Sequence, residues 1–422
     1  MRITSIAYGT RGDVQPALAL GKELRSRGHK VRVVVASDFT AMVEQCGLEA
    51  ATSEIDIQGV LRTAGGLDYI ESGKRVSIRK SFKSMRGLFA EHGPGLIDTA
   101  YKASDGADVI ISGFLSSVFA AAIAEKSGAR HIGAFLQPTP LATRSGPATI
   151  SAPRPGSDSL LNYLMHKAVI ERINWSLTQA PANRFRREVL GLPPQGREGY
   201  LDSLRTGPTL LGYSPHVIPH PADWPATTHT TGFWFLADTL GWEPDRELLD
   251  FLDAGEPPVF LSFGSTTARD ANTTTRLLVD AVVQSGRRAV IQAGWAGLGE
   301  ADPLPDCVHL VGTVPHSWLL SRVSAAVHHG GAGTTAQVMA LGIPAVAVPH
   351  VGDQPYWGMR IAQLGVGPKP IPRLKLTALK LAAAIRQMTT DQDMRRRAAE
   401  LGAKIQAENG VVRAADLIEQ YV

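Results

Sequence analysis

Short apolar runs alternate with longer stretches of helical periodicity through both halves of the chain, which is the pattern of parallel sheets wrapped by helices. In the first half ITSIAY (Ile3 to Tyr8) reads as a strand leading into a glycine-containing turn. A helix from Gln15 to Arg27, closed by Gly28, and the strand KVRVVVA (Lys30 to Ala36) complete one βαβ unit. Further strands are expected at DVIIS (Asp108 to Ser112) and ARHIGAF (Ala129 to Phe135), with an alanine-rich helix Ser116 to Ser127 between them. Residues Leu141 to Pro155, rich in Pro, Gly, Ser and Thr without periodicity, read as a long mobile loop, and Leu160 to Leu190 as helix.

The second half repeats the pattern. Strands are expected at PVFLSFGS (Pro258 to Ser265), AVIQAG (Ala289 to Gly294), VHLVG (Val308 to Gly312), AAVHHGG (Ala325 to Gly331) and PAVAVPH (Pro344 to His350). The fold class is therefore α/β with two Rossmann-like domains: 1–215 and 236–405, joined by a linker over 216–235 where Pro219, Pro221 and Pro225 oppose regular structure. A closing helix over 406–422 is expected to pack back toward the N-terminal domain.

Composition narrows this picture. A chain of 422 residues, 44% hydrophobic and 19% charged, has the length of two α/β domains and the balance of a globular enzyme. The net charge is +4, and no Lys/Arg block is interleaved with aromatics, so nucleic acid is an unfavoured partner. The two cysteines, Cys46 and Cys307, fall in different halves and suggest a reducing cytoplasm rather than a disulfide framework. The opening MRITSIAYGT lacks the regions of a signal peptide, and apolar runs such as Phe119 to Ala124 are too short to span a bilayer. Any membrane contact is thus expected to be peripheral, at the inner face. Arg75, Arg79, Lys83 and Arg86 recur at helical spacing and suit either a solvated face or docking on anionic lipid.

The candidate chemistry centres on HHGGAGTT (His328 to Thr335), where a strand runs into a glycine turn and a helix start. Glycines let backbone amides approach oxygen atoms, and a helix N-terminus adds unpaired N–H groups and partial positive charge, so the run suits a phosphate. A tight turn with threonine caps is the plainer alternative. Beyond the next strand lies PHVGDQPYWG (Pro349 to Gly358), whose Asp353 and Gln354 are suited to vicinal hydroxyls of a sugar. Trp295, after a strand tip, either lines the same cleft or belongs to the core.

GTRGDVQP near the start, SFGS, VPHSWLL, HHGGAGTT and GDQPYWG together resemble the GT-B glycosyltransferases of the UDP-glucosyltransferase family, above all the sterol-type and vancomycin-group enzymes. The resemblance covers nearly the whole chain. It implies two sheets facing each other across a cleft, with the acceptor on the N-terminal domain and the nucleotide sugar on the C-terminal one. His329 and the stretch Gly331, Gly333, Thr334 and Thr335 would contact the diphosphate, joined by Ser265. Val314, His316 and Trp318 would surround the base, and Asp353 and Gln354 would hold the sugar. The tryptophan that stacks on uracil in plant members falls near Thr313, which cannot stack, so UDP against TDP stays open.

Asp13, placed on the loop after the first strand, is the candidate base that removes the acceptor's hydroxyl proton; capping of a helix starting near Val14 is its structural alternative. Thr10, Arg11 and Gly12 would shape that loop at the donor. The expected activity is inverting, metal-independent transfer of a hexose, glucose from UDP-glucose, to a hydroxyl of a lipophilic acceptor such as a sterol-like or polyketide product. A TDP-deoxysugar donor, a sugar-nucleotide epimerase or hydrolase, and a silent sugar-nucleotide-binding module are the alternatives. No cofactor beyond the nucleotide-sugar cosubstrate is expected. The one close Asp pair, Asp391 and Asp393, opens a charged helix and reads as capping rather than a metal site.

Overall fold

In the computed structural model the apolar runs assemble into two all-parallel sheets, one of seven strands and one of five. The structure describes residues 1–422 except 63–77, 139–140, 146–157, 237–241, 264–270, 293–303 and 351; the side chains of 58, 61–62, 78–85, 169–170, 173–174 and 271 are also outside the description. The chain divides into two units: one runs to Leu236 and takes in Glu408–Val422, and the other spans Ala237–Ala407.

In the first unit β1 (Arg2–Ile6) is followed by α1 (Arg11–Ser26), β2 (Lys30–Ala36), β3 (Glu49–Ser53), α2 (Ile78–Ala103), β4 (Val109–Ser112), α3 (Ser117–Ser127), β5 (Arg130–Phe135), β6 (Thr209–Leu211) and β7 (Thr228–Thr230). The strand order is β3-β2-β1-β4-β5-β6-β7. Ile3 faces Val31 on one side and Val109 on the other, all buried, as in a sheet covered on both faces, where even Thr4 and Ser5 of β1 are buried. Between β5 and β6 the chain is helical from Leu160 to Leu190, with wider i to i+5 turns at His166–Ile170 and Arg186–Leu190, and it ends at Gly191 in the left-handed region (φ 66°).

The second unit contains β8 (Val259–Ser262), α4 (Ala271–Ser285), β9 (Ala289–Gln292), β10 (Val308–Val311), β11 (Ala325–His328), α5 (Ala332–Ala340), β12 (Ala345–Ala347) and α6 (Gln354–Gln363), in the order β10-β9-β8-β11-β12. Strand residues alternate between two faces. Val259, Leu261, Ala325, Val327 and Val346 join Leu278, Leu381 and Ile385 in one apolar core, leaving Ser262, Gln292 and His328 on the opposite face.

Several expectations need correction. Helix α1 begins at Arg11, not Gln15, because Asp13 at its third position accepts hydrogen bonds from the Thr10 N–H (2.8 Å) and hydroxyl (3.2 Å) and closes the first turn. The segment 216–235 is not a free linker: Val217, Ile218, Trp224, Phe233 and Trp234 are buried within the first unit, Thr228–Thr230 pairs with β6, and the units divide after Leu236. Of the loop expected at Leu141 to Pro155, residues 146–155 lie outside the described part, and the rest is tied down; the Thr143 hydroxyl donates to Asp223 (2.5 Å) and the Ala142 N–H to Glu171 (2.9 Å). The closing helix α7 (Gly410–Gln420) packs on α1, where Arg27 meets Asp416 and Glu419 at 2.7 and 2.9 Å and His29 meets Glu419 at 2.8 Å. Among the described residues no helix is long and apolar enough to cross a membrane.

Candidate active site

In open parallel sheets ligands bind beyond the carboxyl ends of the strands, where the strand order reverses. In the first unit that point lies between β1 and β4, and in the second between β8 and β11. The turn after β1 carries Asp13, and the turn after β11 is the glycine run, so the chain's two most chemical segments stand at the two switch points.

At the second of these, β11 ends at His328, in register with Ser262 of β8 and Ala347 of β12. Gly330 has φ 88°, and a Cβ there would sit 2.9 Å from the Gln354 carbonyl oxygen, so only glycine lets the loop lie against the start of α6. Gly331 begins α5 in extended conformation with no side-chain cap, and its first-turn amides are the donors an anion needs. Thr335 is fully buried and its hydroxyl donates to the Gly331 carbonyl (2.8 Å), which commits it to the helix; Gly333 and Thr334 keep partial exposure. The His329 ring packs on Gly331 so closely that a Cβ there would overlap its Nε2, and its Nδ1 is buried without a hydrogen-bond partner. Burial pulls His329 down to about 4, so the imidazole is neutral at pH 7, able to donate a hydrogen bond but carrying no charge.

The sugar-side candidates are held by their own neighbours. Asp353 accepts from the Trp357 indole N–H at 2.7 Å, with Trp357 fully buried, and the Gln354 side-chain oxygen accepts the His350 backbone N–H at 2.7 Å. His350, which ends a strand motif without drawing notice in the sequence, packs on Phe263 (centroids 5.1 Å apart) and accepts from Arg373 at 3.3 Å through Nε2. Burial holds it near 3.

At the base-side candidates, His316 pairs with the Gln292 side-chain oxygen (2.9 Å), and the Gln292 amide donates to the Val314 carbonyl (3.3 Å). Gln292 is the second residue that sequence reasoning missed; its signal is a lone polar residue ending an apolar strand. Trp318 meets Trp242 edge-on at 5.0 Å and carries the Arg322 guanidinium 4.1 Å from its ring centre.

In the first unit Asp13 is half-buried with its two oxygens in different situations. Oδ2 takes both Thr10 bonds and lies against Gly9, whose φ of 148° and missing Cβ make room; a Cβ there would overlap the carboxylate. Oδ1 has no hydrogen-bond partner among the described residues. Burial raises the Asp13 pKa from the ordinary carboxylate range, and the Thr10 bonds only partly offset it. Capping and proton abstraction, which the sequence presented as alternatives, are thus compatible, one per oxygen. Burial lowers the Arg11 pKa, and Gly12 lies beside Thr10 in the same turn.

Ser265, Trp295 and Arg75 lie outside the described residues, as do the side chains of Arg79 and Lys83; Arg86 is exposed on α2. Asp391 caps the helix Gln392–Gln406 through the Met394 N–H (2.9 Å), and Asp393 pairs with Arg396 at 2.8 Å.

Residues 3–96 match the glycosyltransferase family 28 N-terminal domain, and residues 276–416 match the erythromycin biosynthesis protein CIII-like C-terminal domain. An O-mycaminosyltylonolide 6-deoxyallosyltransferase of Streptomyces fradiae is 35% identical, the match covering 100% of this chain and 97% of that one. The chain belongs to the GT-B glycosyltransferases. A sterol 3-beta-glucosyltransferase of Debaryomyces hansenii is 32% identical over 98% of the transferase, which spans only 26% of that longer protein. Among solved structures the glycotransferase of kitacinnamycin superimposes with a TM-score of 0.74 at 21% identity, covering 100% and 98% of the two chains. The glycosyltransferase VinC, solved in complex with DTDP, gives 0.65 at 20% identity with 99% of each chain covered. At such identities these structures establish the transferase's fold: two α/β domains with parallel sheets.

Proposed function

We propose that this glycosyltransferase moves a hexose from a nucleoside diphosphate donor to a hydroxyl of a lipophilic acceptor, with inversion at the anomeric carbon. The observation that carries the reading is the abutment of the glycine loop on α6: Gly330 lies against Gln354, so a phosphate on the α5 amides and a sugar at Asp353 and Gln354 are neighbours on one sheet edge. In the proposed reaction Asp13 takes the acceptor's hydroxyl proton as the oxygen bonds to the anomeric carbon. The bond from that carbon to the phosphate oxygen breaks, and the nucleoside diphosphate leaves with its charge met by the α5 amides and His329. A single displacement turns an α-linked donor into a β-glycoside.

The acceptor is proposed to be a macrolide-like or sterol-like scaffold. Coverage favours the first, together with a 6-deoxyhexose: the deoxyallosyltransferase aligns over 97% of its own length, the sterol enzyme over 26%. Glucose from UDP-glucose is the second reading, supported by the Asp353 and Gln354 pair. Incubation with UDP-glucose and with TDP-6-deoxyhexoses against macrolactones and sterols, followed by mass spectrometry, tests this. Glycoside formed only with TDP-6-deoxyhexose and macrolactone is the expected result. Sugar released or isomerised without acceptor would instead indicate a hydrolase or epimerase. Binding on the inner membrane face by Arg75, Arg79, Lys83 and Arg86 is a further proposal, tested by sedimentation with anionic vesicles.

A further inference from the structure

The donor chemistry just proposed leaves the first histidine of the pair without a task, and His328 cannot be a surface contact because it is fully buried. Its ring sits at the carboxyl end of β11 on the face away from the apolar core, in register with Ser262 and Ala347. The Gly330 N–H donates to its Nδ1 at 3.0 Å. A backbone N–H can only donate, so Nδ1 must be the unprotonated nitrogen and the single ring proton sits on Nε2, which has no hydrogen-bond partner.

We propose that His328 is a positioning residue for the donor's diphosphate: its neutral imidazole holds the Gly330 amide and thereby fixes the glycine loop in the shape that opens the α5 amides. Three features of the site require an acceptor at this position. Gly330 is buried and turns at φ 88°, so its N–H points away from the ordinary strand ladder and has nothing else to bond. On its other side the loop lies close against the Gln354 backbone, which leaves it little room to reshape. A protonated ring would lose the lone pair, and His329 from the loop and His316 from the helix His316–Leu319 both oppose a charge there, burial adding most and holding His328 near 3. The inference rests on the reading of the second unit as a diphosphate site.

Asparagine and glutamine separate this role from bulk structure, since an asparagine oxygen falls where Nδ1 is and a glutamine amide where Nε2 is. The full-length variants His328→Asn, His328→Gln and His328→Leu would be titrated calorimetrically with UDP and dTDP and with the corresponding monophosphates. A buried N–H left unpaired predicts that Gln and Leu lose roughly tenfold or more in diphosphate affinity. Monophosphate affinity stays within about twofold, and Asn keeps most of the diphosphate affinity. Diphosphate binding by the Gln variant as tight as wild type would overturn the inference. So would an Asn variant as weak as Leu, or equal losses for mono- and diphosphates, which mark general disruption. Failure of the wild-type protein to bind either diphosphate would instead overturn the donor-site reading beneath it.

Discussion

Replacing Asp13 by asparagine separates the two tasks its carboxylate holds. Asparagine keeps an oxygen for the Thr10 N–H and hydroxyl, so α1 should start at Arg11 as before and stability should change by about 1 kcal/mol or less. The base is lost. General-base catalysis contributes about 100-fold to 10,000-fold, so kcat should fall by that factor, an activation penalty of roughly 2.7 to 5.4 kcal/mol. The KM for donor and the affinity for nucleoside diphosphate should be unchanged, because Asp13 and the glycine loop belong to different units.

The pH profile carries the sharper test. Since burial raises the Asp13 pKa, the wild-type kcat/KM should decline on acidification above the ~3.9 of an ordinary aspartate, as the base protonates. The same shift has a stability sign. The folded state holds the proton more tightly than the unfolded chain, so stability decreases as pH rises from the unfolded value through the raised one, and it stays lower above it. The Asp13→Asn side chain does not titrate and should erase that slope. Steady-state kinetics from pH 4 to 9 together with denaturant titrations would read both effects. An asparagine variant retaining more than about a third of wild-type kcat, or a wild-type acidic limb at or below ~3.9, would refute the assignment.

Other substitutions probe the donor side. Gly330→Ala puts a Cβ 2.9 Å from the Gln354 carbonyl at φ 88° and should cost about 1–3 kcal/mol of stability with weaker diphosphate binding, read by thermal unfolding and calorimetry. Trp357→Phe removes the indole N–H that orients Asp353; donor KM should rise several-fold while nucleoside diphosphate affinity stays unchanged, and a parallel loss of both would place Asp353 elsewhere than at the sugar. Gln292→Leu removes the bonds that Gln292 makes to His316 and to the Val314 carbonyl, so affinity for the free nucleoside should fall by roughly tenfold in equilibrium titrations.

The sequence by itself determined the α/β class, because runs such as Val33 to Ala36 and Val259 to Leu261 are apolar on both faces, as strands of a parallel sheet covered on both sides are, and they alternate with helical periodicity. It also determined the glycine loop, since the positive φ at Gly330 and its close approach to the Gln354 backbone favour glycine there. What it left open were features decided by neighbours far along the chain. Strands Glu49–Ser53 and Thr228–Thr230 carry too little apolar pattern to announce themselves, and they form because β2 and β6 offer unpaired edges. The proline-rich 216–235 segment looked free, yet Trp224 and Trp234 bury it in the first unit.

Only the tertiary structure divided Asp13 between its two oxygens, gave Gln292 and His350 their places beside the expected residues, and fixed the proton on His328. Backbone geometry and binary pattern are written locally and can be read from the chain. Which lone pair or proton of a polar side chain is left over depends on partners brought together by folding, and that remainder is where the chemistry of this site resides.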